Sequence, residues 1–174
     1  MNKKVLAAIL LILFTVILGI VWYFFSSKGV QSPFSKTKES SLEMAVYNKG
    51  GRMLVGINSP YFQQVQVEAE DLLVSADSGL FLLVTPETIK RIKEQESCLE
   101  LIYSQPKTFT SSFNELEVKP DRLLIPLSGE FVGTKNNVVI FIGDRKAYSS
   151  GPYVNSRGVS KLKSLLNAAG VKEF

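Results

Sequence analysis

The nucleophilic mechanism that this chain's composition leaves open is a serine activated by a lysine. The 174 residues include no histidine and a single cysteine, Cys98. These absences exclude Ser-His-Asp and Cys-His nucleophiles, histidine metal ligands, internal disulfides and CxxC redox pairs. Without a histidine partner, Cys98 is expected to be a buried structural residue. Ser-Lys hydrolysis remains as an alternative, although no spacing selects a pair. Its candidate serines are Ser59, Ser128 and Ser149, and its candidate bases are Lys119, Lys135 and Lys146.

A small ligand or anion has a candidate site at Asn58 and Ser59. These residues precede a predicted helix, and the free N–H groups at a helix start attract anions. The segment matches neither a G-x-G-x-x-G fingerprint nor a Walker loop. Within that helix, Glu68 and Asp71 are i, i+3 neighbours that could share a cation, but one helix face offers too few oxygens for calcium. We therefore predict a solvated acidic face, no metal site and no cofactor.

Two segments carry candidate contacts to a partner protein. Residues 105–121 are polar and predict a long loop, a type of segment that often carries function. Its aromatic candidates are Phe109 and Phe113. Residues 144–174 contain six basic and two acidic side chains, so Arg157 and Lys161 could face an acidic partner subunit or anionic lipid. The alternatives are that the two rings pack on the core and that the basic side chains are simply solvated.

The formal charge of +4 does not indicate a nucleic-acid-binding protein. Residues 1–39 contain five lysines and one acid, so residues 40–174 hold the remaining 15 basic and 15 acidic residues of the 20 and 16 in the chain. A nucleic-acid-binding surface needs an excess of lysine and arginine on the folded domain. The positive excess instead flanks an apolar segment near the N-terminus. We predict no nucleic-acid partner.

An uncharged apolar run over residues 5–25 predicts a transmembrane helix. Its 21 residues would form about 31 Å of helix, which matches a hydrocarbon core of about 30 Å. A cleaved signal peptide fits less well, because the run is long and ends in large aromatic residues without a small-residue cleavage site. The residues expected to contact the bilayer include Val5, Leu10, Phe14, Trp22, Tyr23 and Phe25.

The flanking charges predict how the chain is oriented and organised. Lys3, Lys4 and the N-terminal amine lie next to the apolar run, which favours a cytoplasmic N-terminus and an extracytoplasmic body. Residues 26–41 contain six serines and three lysines and are typical of a flexible linker. The predicted organisation is a membrane anchor over 1–25, a linker over 26–41 and a soluble domain over 42–174.

Hydrophobic periodicity in the soluble part predicts the order β-β-α-β-α-β, then further strands and a last helix. The first hairpin turns at 49–51, a capped helix begins at 58–60, and 80–84 forms a short apolar strand. Early β-α-β units imply some parallel pairing, and Pro126 indicates an edge strand.

The second half of the domain is predicted to contain a helix over 85–96, a hairpin turning at 143–144 and a helix over 157–169 that Gly170 ends. The fold class is α/β or α+β. An N-terminal transmembrane helix is followed by one soluble domain with a mixed β-sheet and about three helices.

These features together favour a single-pass, membrane-anchored, non-enzymatic module that binds a protein partner, such as an accessory or assembly subunit of a membrane complex. The anchor, the linker and the lack of a catalytic constellation lead to this expectation. A membrane-anchored sensor of a small ligand or anion and a Ser-Lys hydrolase are the alternatives.

Overall fold

The structure, a computed structural model, describes residues 41–133 and 137–171. The predicted anchor, with Val5, Leu10, Phe14, Trp22, Tyr23 and Phe25, lies outside the described residues, as do most of the linker and Lys135. Within the described ranges, no helix combines the length and the apolar character that crossing a membrane requires. The described residues belong to one compact unit, Ser40–Phe174.

Seven strands form one sheet and two short strands form a separate ribbon. The sheet order is β2-β1-β4-β7-β8-β9-β3, and the ribbon pairs β5 with β6. The strands are β1 (Leu42–Asn48), β2 (Gly51–Leu54), β3 (Ser78–Gly79), β4 (Ser97–Tyr103), β5 (Phe109–Thr110), β6 (Glu117–Val118), β7 (Arg122–Pro126), β8 (Val138–Gly143) and β9 (Tyr153–Asn155).

Every strand pair among the described residues is antiparallel. The parallel pairing expected from the early β-α-β order is therefore wrong. The helix after the first hairpin leads only to the short edge strand β3, and the next long strand, β4, pairs antiparallel with β1. Of the two fold classes considered, the domain is α+β.

Three helices cover the two faces of the sheet. They are α1 (Phe62–Val74), α2 (Pro86–Gln95) and α3 (Ser160–Ala168). Side chains alternate along each strand, so each strand contributes to both faces. On β4, Leu99 and Leu101 join a large core with α1 and α3, whereas Cys98 joins a smaller core with α2. The sheet is thus packed between α1 and α3 on one side and α2 on the other.

Several sequence predictions are confirmed. The first hairpin turns at Lys49 and Gly50, both with positive φ, and continues into β2. Helix α2 begins after Thr85, whose Oγ1 accepts the Thr88 amide, and it directs Ile89 and Ile92 inward. Gly170, with φ of 90°, follows the C-cap residue Ala169 and terminates helix α3.

The end of α3 shows why this glycine was predictable. The amides of Gly170 and Val171 donate to the carbonyls of Asn167 and Leu166, the pairing of a Schellman cap that needs a left-handed residue. Val171 and Leu166 are both buried, which supplies the apolar contact that accompanies such a cap.

Other element predictions are wrong in detail. Helix α1 begins at Phe62 with no side-chain cap, because the Ser59 hydroxyl accepts the Tyr61 amide in the preceding turn. The strand β7 is central although it contains Pro126. Proline lacks a backbone N–H and is usually excluded from central strands. Here the pairing of β7 with β8 ends at Leu124, so Pro126 removes no hydrogen bond between these two strands, while it still pairs with Cys98 of β4. Residues 105–121 contain the ribbon β5–β6 and are not an uninterrupted loop.

Candidate functional site

The sheet ends at β3, and the segment that continues from β3 exposes large apolar side chains. We call residues 78–84 the edge segment. It begins with β3, which pairs with β9, and continues beside the turn that precedes β9. The Leu80 amide donates to the Pro152 carbonyl at 2.9 Å, and the Gly151 amide donates to the Leu82 carbonyl at 3.0 Å. Irregular pairing over 80–84 replaces the regular strand predicted there.

The side chains of the edge segment alternate between the protein and solvent. Leu82 and Val84 pack against the smaller core. Phe81 is fully exposed, and Leu83 is 75% exposed. No hydrogen bond to another described residue involves the backbone of either Phe81 or Leu83. The segment therefore presents two large apolar side chains and an unpaired backbone on its outer side.

The two aromatic residues predicted to contact a partner, Phe109 and Phe113, differ in exposure. Phe109 is 5% exposed and packs into the larger core beside Tyr103, with ring centroids 6.1 Å apart. Phe113 is 48% exposed, and its ring lies beside Gly79. Phe113 therefore lies next to the start of the edge segment, whereas Phe109 is part of the core.

The basic residues proposed as partner contacts form internal ion pairs. Arg157 binds the Glu68 carboxylate at 3.2 Å and the Asp71 carboxylate at 2.7 Å, while Lys161 binds Glu68 at 2.5 Å. Glu68 is 3% exposed, so the prediction of a solvated acidic face is wrong for this residue. Glu68 and Asp71 do share a cation, but it is the guanidinium of Arg157. Arg157 and Lys161 remain about half exposed and mostly exposed, respectively.

A polar cluster around Glu100 lies on the α2 face of the sheet. Glu100 is 1% exposed and accepts hydrogen bonds from the Lys93 ammonium at 2.7 Å, the Tyr148 hydroxyl at 2.5 Å and the Tyr47 hydroxyl at 3.0 Å. Burial alone would raise the pKa of Glu100, but these three donors outweigh it and lower the pKa. Burial and the neighbouring carboxylate raise the pKa of Tyr148, which keeps its hydroxyl a donor.

The remaining candidate residues show no joint arrangement. Asn58 is exposed, and the Ser59 hydroxyl is used by the Tyr61 amide. The Ser128 hydroxyl accepts the Ser97 amide at 2.8 Å. In the described part of the chain, no hydrogen bond joins Ser59, Ser128 or Ser149 to Lys119 or Lys146, and no group of acidic or cysteine side chains could hold a metal ion.

Cys98 is buried, as predicted. Desolvation raises the pKa of its thiol to about 12, so a thiolate is strongly disfavoured at neutral pH.

Sequence reasoning missed the two most informative features. Glu100 alternates with Leu99 and Leu101, a pattern typical of a solvent-facing acid, and no sequence signal revealed that α2 covers that face. The run LFLLV over 80–84 indicated a buried strand by hydrophobicity. Residues 78–84 carry no charge and no proline, whereas exposed edges usually carry one or the other to prevent pairing. The sequence therefore gave no sign that this run is exposed.

Comparison with known proteins identified no relative of this chain. No family model, no curated protein and no solved structure matches this chain significantly.

Proposed function

We propose that this chain is a single-pass, membrane-anchored, non-enzymatic module whose edge segment binds an extended apolar segment of a protein partner at the membrane. The observation that carries the proposal is the outward presentation of Phe81 and Leu83 on an unpaired sheet margin. The proposed anchor over 5–25 would tether the domain to the membrane on its extracytoplasmic side, where partners in the same membrane are accessible.

The physical basis is strand addition at a sheet edge. Unpaired backbone N–H and C=O groups supply affinity, and alternate side chains supply specificity. Natural edges usually carry lysine, proline or a bulge that prevents such pairing. The segment from Ser78 through Val84 contains no lysine and no proline. Its lack of charge favours an apolar partner strand over an acidic or basic one, and Phe113 extends the apolar surface beside Gly79.

Site-specific photo-crosslinking in cells tests this proposal. A photoreactive residue replaces Phe81 in the full chain, and crosslinked species are isolated from membranes in mild detergent. We expect one dominant adduct with a different membrane-associated protein. The Leu83→Lys substitution, introduced with the crosslinker, should remove that adduct, because a buried lysine in a strand interface is strongly disfavoured.

Ile57→Lys is the matched control. Ile57 is 71% exposed and lies outside the edge segment, so its substitution should leave the adduct unchanged. An adduct consisting only of a second copy of this chain, or one equally reduced by Ile57→Lys, would contradict the proposal. Recovery of the full chain in a soluble fraction, without detergent, would contradict the anchor.

A further inference from the structure

A cavity of about 500 Å³ opens on the α2 side of the sheet. Tyr47, Lys93 and Tyr148 line it and also contact Glu100, so the buried cluster fixes one side of the cavity. The other sides come from the start of α2 and from the turn after β8. A volume of this size lies within the range of about 300–1,000 Å³ that small-molecule sites occupy.

The charged side chains that line the cavity are mainly cationic. Lys90, Lys93, Arg122 and Lys146 contribute positive charge, against the single lining carboxylate of Glu94. The Glu100 carboxylate neutralises Lys93 at 2.7 Å, and Lys90 lies 3.9 Å from Glu94. The two remaining cations, Arg122 and Lys146, form no ion pair among the described residues.

Arg122 is the most informative of these cations. Its Nε is buried and has no hydrogen-bond partner among the described residues, and the rest of the side chain remains partly exposed. Asp144 is the nearby acid, but its carboxylate accepts the backbone amides of Lys146 and Ala147 at 2.7 and 2.9 Å. These amides, and secondarily the charges of Lys146 and Arg122, lower the pKa of Asp144.

We infer that this cavity binds a small organic carboxylate, with its carboxylate between Arg122 and Lys146. Val84, Pro86 and Ile89 line the cavity as well and offer an apolar surface to the hydrocarbon part of such a ligand. The planar guanidinium of arginine matches the two oxygens of a carboxylate. This site lies apart from Asn58 and Ser59, where the sequence had indicated an anion.

The balance of charge favours a carboxylate over a phosphate. Two unpaired cations and the neighbouring Asp144 leave about one positive charge at the site, which matches a monoanion. The apolar wall adds affinity only for a ligand with a hydrocarbon body. Inorganic phosphate lacks that body and carries more charge than the site neutralises.

Side-chain NMR of the full chain in mild detergent tests the inference. The chain is labelled with ¹⁵N-arginine, and Arg122→Gln identifies the Arg122 signal. Phenylacetate and hexanoate are titrated, with 2-phenylethanol, hexanol and inorganic phosphate as comparison ligands. We expect a saturable shift of the Arg122 signal with the two carboxylates alone. Lys146→Gln should weaken their binding roughly tenfold, the loss expected for one charge-assisted hydrogen bond. Lys146 is exposed in a turn, so this variant should fold normally.

Lys163→Gln provides a control of the same charge change, because Lys163 lies on α3, which packs on the opposite face of the sheet. It should leave carboxylate binding unchanged. The inference is overturned if neither carboxylate shifts the Arg122 signal at concentrations up to about 50 mM, far above typical ligand affinities. It is also overturned if phosphate binds as tightly as phenylacetate, or if Lys163→Gln weakens binding as much as Lys146→Gln.

Discussion

Glu100 illustrates how a charged side chain can be stable inside this domain. A buried carboxylate is strongly disfavoured unless hydrogen bonds and an opposite charge compensate for lost hydration. Here Lys93 supplies the charge, and the hydroxyls of Tyr47 and Tyr148 occupy further acceptor positions. The Lys93 ammonium also lies 4.7 Å from the centroid of the Tyr47 ring. The ionised form of Glu100 is therefore the one that the fold stabilises.

The lowered pKa of Glu100 leads to a pH prediction. Because the pKa of Glu100 is lower in the folded protein than in an unfolded chain, ionised Glu100 contributes stability above the unfolded pKa. The contribution is lost as the pH falls through the folded pKa. Glu100→Gln should cost about 1–3 kcal/mol of unfolding free energy at pH 7 and should reduce the loss of stability between pH 5 and pH 3, measured by urea unfolding.

Glu94→Gln is the control for this experiment. Glu94 is largely exposed and 3.9 Å from Lys90, so its loss should change stability by less than about 0.5 kcal/mol and leave the pH dependence as in the unmodified chain. An unchanged acid dependence in Glu100→Gln would contradict the role assigned to this carboxylate.

At the scale of the element, α2 connects the core to the cationic cavity. Ile89 and Ile92 attach the helix to the sheet, whereas Lys90 and Lys93 line the cavity. The helix has only ten residues, which is too short for stability in isolation. Its start therefore depends on tertiary packing and on the cap at Thr85. The sequence Thr85-Pro86-Glu87 predicted this start because each residue has a defined role in the first turn.

Removal of the Thr85 hydroxyl should destabilise the domain. Thr85→Ala leaves the Thr88 amide without its side-chain acceptor, and we expect a loss of about 1 kcal/mol in unfolding free energy, measured by urea denaturation. Thr85→Ser retains the oxygen and should preserve most of the stability. If the serine variant were as unstable as the alanine variant, packing of the threonine methyl group, rather than capping, would explain the effect.

At the scale of the whole domain, an ion-pair cluster joins two distant parts of the chain. Glu68 on α1 binds Arg157 and Lys161, which lie before and within α3. Asn155 adds a second link, because its side-chain amide donates to the Leu72 carbonyl at 2.9 Å. These contacts hold the C-terminal segment against α1 on the face of the sheet opposite α2.

The cluster is expected to contribute measurably to stability. Arg157→Gln leaves buried Glu68 with Lys161 as its remaining cation, and we expect a loss of about 1–3 kcal/mol in urea unfolding. Lys119→Gln breaks an exposed pair with Glu117, in which both side chains are 63% exposed, and should cost less than about 0.5 kcal/mol. Equal losses of unfolding free energy in the two variants would indicate that the ion pair with buried Glu68 stabilises the domain no more than an exposed pair does.

The sequence by itself determined the local elements whose stability comes from neighbouring residues. The hairpin at Lys49 and Gly50, the capped start of α2 and the glycine end of α3 all follow from short-range preferences. The predicted anchor over 5–25 depends on composition alone and stays a prediction.

Only the tertiary structure decided how the strands pair, which acidic side chains are buried and which apolar segment is exposed. Strand order and direction depend on contacts between distant segments, so the antiparallel approach of β4 to β1 replaced the parallel pairing that chain order suggested. Glu100 alternates with apolar neighbours along β4 as a solvated acid does, and Glu68 was predicted to lie on a solvated helix face. Both are buried because cations from distant parts of the chain, Lys93 and Arg157, pair with them. The edge segment is as apolar as a core strand, and it is exposed because the sheet ends there.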